Sequence, residues 1–260
     1  PVPLGFAAAA AELSPSQDYV LAISAEDGLP RVVDLAGGAP AVRLLEGIEL
    51  SADRIVLSPR GRAALLFQSG GPGARIVTGL PSAPVARPID LSALPGAPGA
   101  LAVSDDGAAV LAASPAGLFL LTAAGEIRPL PAAGPVTALA FFPGSRDALA
   151  AGTGFAGLLS DVSGEPAWRT LATLAQDFGE PLAVAAAGNR ALVAAGNAVA
   201  AIDLASGELS ALPCACRVTT LARLDGDAFR ITPASASPVW IVSAGPEARL
   251  LFVPPATAEE

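Results

Sequence analysis

Six stretches of this chain repeat one outline, an apolar strand, a polar turn and a second apolar strand, and no other feature constrains the fold as strongly. ALAVSDDGAAVLAAS from Ala100 aligns with ALAFFPGSRDALAAG from Ala138 and, with one residue of slippage, with PLAVAAAGNRALVAAG from Pro181. AELSPSQDYVLAIS from Ala11, RIVLSPRGRAALLFQS from Arg54 and TLARLDGDAFRITPA from Thr220 follow the same plan. With Ala11, Ile55, Leu101, Leu139, Leu182 and Leu221 as equivalent anchors, the spacings are 44, 46, 38, 43 and 39 residues. A second marker keeps step with the first. A polar residue closing a third strand recurs 21 to 23 residues after each anchor, at Asp34, Thr78, Thr122, Asp161, Asp203 and Ser243.

Such a period accommodates four short strands and their turns, and is too long for leucine-rich or ankyrin units. Helical repeats of similar length fail on pattern, because Gly, Pro, Asp or Asn interrupts each unit before an apolar stripe at helical spacing develops. The expectation is an all-β, six-bladed β-propeller with four antiparallel strands per blade. It forms a single domain over residues 1–260, with blades near 7–50, 51–96, 97–134, 135–178, 179–216 and 217–256. In the fifth unit the expected strands are Leu182–Ala185, Ala191–Ala195, Val199–Leu204 and Leu209–Pro213. The first turn is placed over Ala187, Gly188, Asn189 and Arg190, and the second at Gly196 and Asn197. Blades covered on both faces need apolar or small side chains throughout, which fits 52% hydrophobic and 15% charged residues. A latch of Pro1 to Phe6 paired with Leu250 to Val253 would fasten the ring.

LAVSDDGAAVLAA from Leu101 and VAAIDLASGEL from Val199 resemble the blades of YVTN-type and NHL-type repeat propellers, with their Ser-Pro-Asp-Gly-like and Asp-Leu-x-x-Gly turns. The resemblance spans all six units and is clearest in the third and fifth. It implies a binding platform and an exported protein, extracellular or periplasmic. The Trp-Asp ending of WD repeats and the sialidase Asp-box are missing. Two tryptophans, Trp168 and Trp240, are too few for one docking tryptophan per blade as in quinoprotein propellers.

Composition removes several function classes. Histidine is absent, which excludes the usual Ser-His and Cys-His triads and histidine-ligated metal; lysine is absent, which excludes Schiff-base chemistry. All fifteen basic residues are arginine and the net charge is −9, which argues against a nucleic-acid partner. The densest basic stretch, Arg54, Arg60 and Arg62, surrounds an expected turn and reads as a solvated edge. No window approaches the roughly twenty apolar residues of a transmembrane helix. Paired carboxylates for glycoside hydrolysis remain allowed, with nothing to single out a pair.

Asp105 and Asp106 beside Gly107, and Asp225 and Asp227 around Gly226, could offer oxygens to calcium. Each lies where the repeat needs a turn, and Asp and Gly belong there for backbone reasons. No metal, cofactor or catalytic residue is assigned. Cys214 and Cys216, two apart on an expected strand, would face one side; they read as small hydrophobes at a blade junction, a local disulfide, or a redox or metal pair. The long connection Ser163 to Pro181, with Trp168, Arg169, Gln176, Asp177 and Glu180, reads as a partner-facing loop, a plain surface loop, or a longer outer strand around Trp168. The functional expectation is a non-enzymatic interaction scaffold for a protein partner. Its rivals are a carboxylate-dependent enzyme acting on carbohydrate or a lactone in the central channel, and a structural subunit of an envelope or extracellular assembly.

Overall fold

The computed structural model describes residues 5–37, 40–48, 51–233, 238–245 and 247–254. Twenty-four strands form six separate four-stranded antiparallel sheets. Blade one holds β1 (Ala8–Leu13), β2 (Tyr19–Ser24), β3 (Pro30–Asp34) and β4 (Ala41–Leu44). Blade two holds β5 (Arg54–Leu57), β6 (Ala63–Phe67), β7 (Gly73–Thr78) and β8 (Val85–Asp90). Blade three holds β9 (Ala100–Val103), β10 (Ala109–Ser114), β11 (Gly117–Thr122) and β12 (Ile127–Leu130). Blade four holds β13 (Ala138–Phe141), β14 (Ala148–Gly152), β15 (Phe155–Ser160) and β16 (Ala167–Thr173). Blade five holds β17 (Ala183–Ala187), β18 (Arg190–Ala195), β19 (Ala198–Asp203) and β20 (Leu209–Pro213). Blade six holds β21 (Ala222–Asp225), β22 (Ala228–Arg230), β23 (Val239–Ser243) and β24 (Arg249–Val253). The chain is an all-β six-bladed propeller. Among the described residues its one helical element is a single 3-10 turn, Gln176–Phe178, and no helix is long and apolar enough to cross a membrane.

Local chemistry explains the repeat. In the first three blades a serine ends the inner strand, fully buried, and its hydroxyl accepts from backbone N–H groups that the turn leaves unpaired. Ser14 accepts from Asp18 and Tyr19, Ser58 from Arg62 and Ala63, and Ser104 from Ala109. The polar marker of the third strand has a similar reason. Five of the six markers are the last residue of that strand, and in three of them the side chain takes up the following turn: Asp34 accepts from Ala36, Thr122 from Glu126, and Asp203 from Ala205 and Ser206. Asp161 sits one residue beyond β15 at a φ of 47°, where its carboxylate accepts from Gly164 and Glu165.

In blade five the first turn is tighter than its composition suggests. Ala187 and Arg190 pair with each other, so Gly188 and Asn189 alone make the hairpin, with Gly188 at a φ of 54°. Gly196 and Asn197 form the same two-residue turn between β18 and β19.

Neighbouring blades are held by apolar clusters. Tyr19, Leu21 and Ile23 pack on Leu66 and Val77 between blades one and two, and Leu65, Ile76, Val110 and Leu121 lie between two and three. Leu111, Leu120, Phe141 and Leu159 join three to four, Leu149, Leu171 and Val193 join four to five, and Leu192, Val218, Phe229 and Val242 join five to six. Each fully buried Leu, Ile or Phe contributes about 1.5–3 kcal/mol. Tyr19 also donates its hydroxyl to the Gly61 carbonyl, and burial pushes its phenol well above the ordinary value. The inner strands of blades one and five are alanine-rich, as sheets converging on one axis leave little lateral room.

The latch has no counterpart among the described residues. Gly5 and Phe6 pair with no strand, Phe6 lies under the Arg31 guanidinium at 4.9 Å, and β24 pairs with β23 alone; Pro1 to Leu4 lie outside the described residues. Each described blade is a continuous stretch of chain, and among the described residues blades one and six meet without sharing a strand.

Candidate functional site: the central channel and the seam between blades six and one

Inner strands from all six blades line a central channel of about 410 Å³. The repeat anchors Ile55, Leu101, Leu139 and Leu221 contribute to its wall, which is apolar on the side of blades two to five. Its charged side chains come from blades one and six, with Glu12 from the first and Arg223 and Arg230 from the last, beside Thr220.

These groups differ in how far they are committed. Arg223 donates to the carbonyls of Ala186 and Gly226 and lies over the Phe229 ring at 4.6 Å; burial lowers its pKa, partly offset by Asp227. Arg230 is half-buried, and its Nε is cut off from solvent with no hydrogen-bond acceptor among the described residues. Glu12 borders the channel and keeps contact with its solvent. Desolvation lifts its carboxyl above the ordinary range, and the Arg230 charge pulls the other way without forming a close ion pair. One carboxylate lines the described channel, so the second group of a glycoside-hydrolase pair is not in this wall.

The same two blades form the seam. Cross-strand partners share a sheet face, so the register assigns each side chain to one wall. Leu21, Ile23 and Val32 look toward blade two, which leaves Leu13, Val20, Val33, Val42 and Leu44 on the face toward blade six. Phe229, Val242 and Leu250 look toward blade five, which leaves Arg230, Ile241, Leu251 and Val253 on the face toward blade one. Val33 and Ala22 are fully buried, yet Leu13, Val42, Leu44, Leu251 and Val253 are between 40% and 46% exposed. Among the described residues no buried apolar cluster spans this seam. Gln17 crosses it, donating from Nε2 to the Leu224 carbonyl.

The residues singled out by sequence fall in different places. Trp168 and Arg169 belong to the outer strand β16, not to a loop. Trp168 packs edge-on against Phe155 at 5.8 Å over Gly157, where any Cβ would fall 2.2 Å from the indole, and Arg169 donates to the Leu204 carbonyl of blade five. Gln176 and Asp177 are exposed on the 3-10 turn and Glu180 is exposed just beyond it, so the five residues form no single surface loop. Cys214 and Cys216 lie in a bend after β20, not on a strand. The bend brings their Cα atoms to 5.0 Å, and the sulfurs are joined as a disulfide packed at the junction of blades five and six.

The acidic turns hold backbone. Asp105 accepts from the N–H of Arg60 on one side and of Gly144 on the other, each at 2.7 Å, tying blades two and four to blade three. Asp106 has a lowered pKa: burial opposes the shift, but donation from Ala108 N–H and Ser104 and the charge of Arg146 outweigh it. Among the described residues no group of three or more acidic, Cys or His side chains is placed to hold a metal.

No family model matches the chain, and no curated protein matches it in sequence. Its similarity is to solved structures. The WD40 repeats of RRP9 superpose with a TM-score of 0.64 at 13% identity, over 96% of this chain and 81% of theirs. A functionally unknown protein from Desulfotomaculum acetoxidans DSM 771 does so with a TM-score of 0.64 at 14% identity, over 97% of this chain and 90% of its own. They stand among 988 matching chains, as expected of an architecture shared by many activities; the likeness is one of fold.

Proposed function

We propose that this propeller is a non-catalytic interaction scaffold that takes a sheet-forming segment of a protein partner into the seam between blades six and one. The observation that carries this reading is the pair of facing apolar walls, Val42 and Leu44 on one side and Leu251 and Val253 on the other, left open to solvent. Exposed apolar patches of this kind mark interaction surfaces. The occupant follows from the molecule's own pattern: elsewhere, a wall of this composition is covered by another antiparallel sheet. The last strand, RLLFV, carries four apolar residues in succession after its arginine, whereas β8 and β12 interrupt their edges with Arg-Pro.

Two further points support this assignment. The Asp-Leu-x-x-Gly turn is realised by the Asp203 carboxylate capping Ala205 and Ser206, in keeping with a YVTN- or NHL-type platform. The joined Cys214 and Cys216 suit an oxidising compartment, so the location we propose is extracellular or periplasmic.

A photo-reactive residue at position 251 tests the reading, with one at exposed Ser92 as control. In the source cell, position 251 is expected to give a discrete adduct with a second protein, lost when Val42 on the opposite wall becomes Asp. An adduct indifferent to Val42→Asp, an adduct of two copies of this chain, or labelling no different from Ser92 would overturn it.

A further inference from the structure

Away from the seam, a cavity of about 700 Å³ opens at the junction of blades two and three, a volume in the range of small-molecule sites. Its floor is apolar: Val56, Phe67, Leu91, Leu94 and Leu101 lie where the packing of that junction ends, and Val56 and Leu101 also line the channel. Two connections make its rim, residues 68–72 between β6 and β7 and residues 91–99 between β8 and β9. Both are tied down. The Leu91 N–H donates to the Pro72 carbonyl and the Gly99 N–H to the Ala113 carbonyl, each at 2.8 Å, and the Ser114 hydroxyl donates to the Pro95 carbonyl at 2.9 Å. Among the described residues Arg54 is the one charged side chain in this lining. The register pairs it with Phe67 and so puts it on the face toward blade three, while Arg60 and Arg62 belong to the turn at the far end of β5. Its Nε donates to the Ser69 hydroxyl at 3.0 Å, and its two Nη groups have no acceptor among the described residues. The neighbouring carboxylates, Asp53 and Asp90, stand outside the lining and are turned onto backbone, accepting from the N–H of Ser69 at 2.7 Å and of Ser92 at 2.8 Å.

We propose that this cavity binds a small apolar monocarboxylate, whose carboxylate accepts from the two Nη groups of Arg54 and whose apolar body lies on the floor of Phe67, Leu94 and Leu101. A guanidinium held at its Nε presents the remaining nitrogens as a planar fork, which matches the two oxygens of a carboxylate. One cation faces the cavity. A monoanion balances it, a dianion would set an excess charge against the apolar floor, and a neutral head group forgoes the charge-assisted bond.

Three molecules with one apolar body separate the cases on the unaltered protein: 6-phenylhexanoate, 6-phenylhexanamide and 6-phenylhexylamine, titrated by calorimetry up to millimolar concentration. The carboxylate is expected to bind saturably, and the amide and the amine about tenfold more weakly or not at all. Arg54→Gln changes an exposed side chain and should weaken carboxylate binding about tenfold. Arg230→Gln, in the channel, should leave it as it is. No saturable binding of the carboxylate, equal or tighter binding of the amide or the amine, carboxylate affinity unchanged in Arg54→Gln, or affinity lost in a folded Arg230→Gln protein would overturn the proposal.

Discussion

The junction between blades three and four and the seam between blades six and one are made of the same kind of sheet, yet they are finished differently. At the first, Leu111, Leu120, Phe141 and Leu159 are almost wholly buried and Trp168 closes the outer end over Gly157. At the second, small Ala22 and Val33 are buried in the middle while the outer halves of both walls stay open and Arg230 stands at the channel end of the blade-six wall. Stability in repeat architectures is set largely by nearest-neighbour interfaces. Five of these interfaces join blades consecutive in the chain, whereas the sixth joins blades from its two ends. Equivalent repeats therefore need not make equivalent interfaces, and the one without chain continuity is free to serve another purpose.

The largest expected difference sharpens that contrast. Leu111→Ala removes a fully buried side chain from a closed junction and should cost about 2–5 kcal/mol. Leu251→Ala removes a side chain that is 40% exposed at the seam and should change stability by no more than about 0.5 kcal/mol. Urea denaturation of both variants measures this, and equal losses would mean that the seam is packed like its neighbours.

A smaller effect compares the turns that connect inner and second strands. Asp105 ties three blades through two backbone N–H groups; Asp105→Ala should cost about 1 kcal/mol, the usual range for charged acceptors reduced by its exposure. Gln17, at the corresponding turn of blade one, makes a single bond across the seam, and Gln17→Ala should fall within about 0.5 kcal/mol. Thermal unfolding of the two variants ranks them, and a larger loss at Gln17 would reverse the picture.

What the sequence discloses here is whatever repeats. The anchors, the third-strand markers and the turns are visible because each blade solves the same backbone problem with Ser, Asp or Gly at the same station, as Ser58 and Asp203 show. Contacts between repeats are not legible in this way. Asp105 looks like an ordinary turn residue until the ring brings Arg60 and Gly144 to it. Trp168 reads equally as part of a long connection or of a longer outer strand, because the register that seats it on Gly157 is a pairing across β15 and β16, invisible in a linear reading. The seam left one trace in the chain, the unbroken apolar run of the last strand, which goes unnoticed when every strand is apolar. Arg230 could be found only once the channel existed.

The finest probe is the acidity of Glu12, the carboxylate that blade one places in the channel lining. Its carboxyl is raised above the ordinary value of 4.5, by desolvation first and despite Arg230. The folded chain thus holds a proton more tightly than the unfolded chain does, and in the window between the ordinary and raised values stability falls as pH rises. Above that window the penalty is complete. Glu12→Gln carries no such penalty, so it should be more stable than the parent at pH 7. The advantage should shrink as pH falls through the window and vanish below about pH 4, where the carboxyl is neutral in both states. Urea midpoints of both proteins across pH measure the difference. A Gln variant less stable at pH 7 would mean that Glu12 and Arg230 pair strongly in solution, so that charge, and not apolar packing, couples blade one to blade six at the channel.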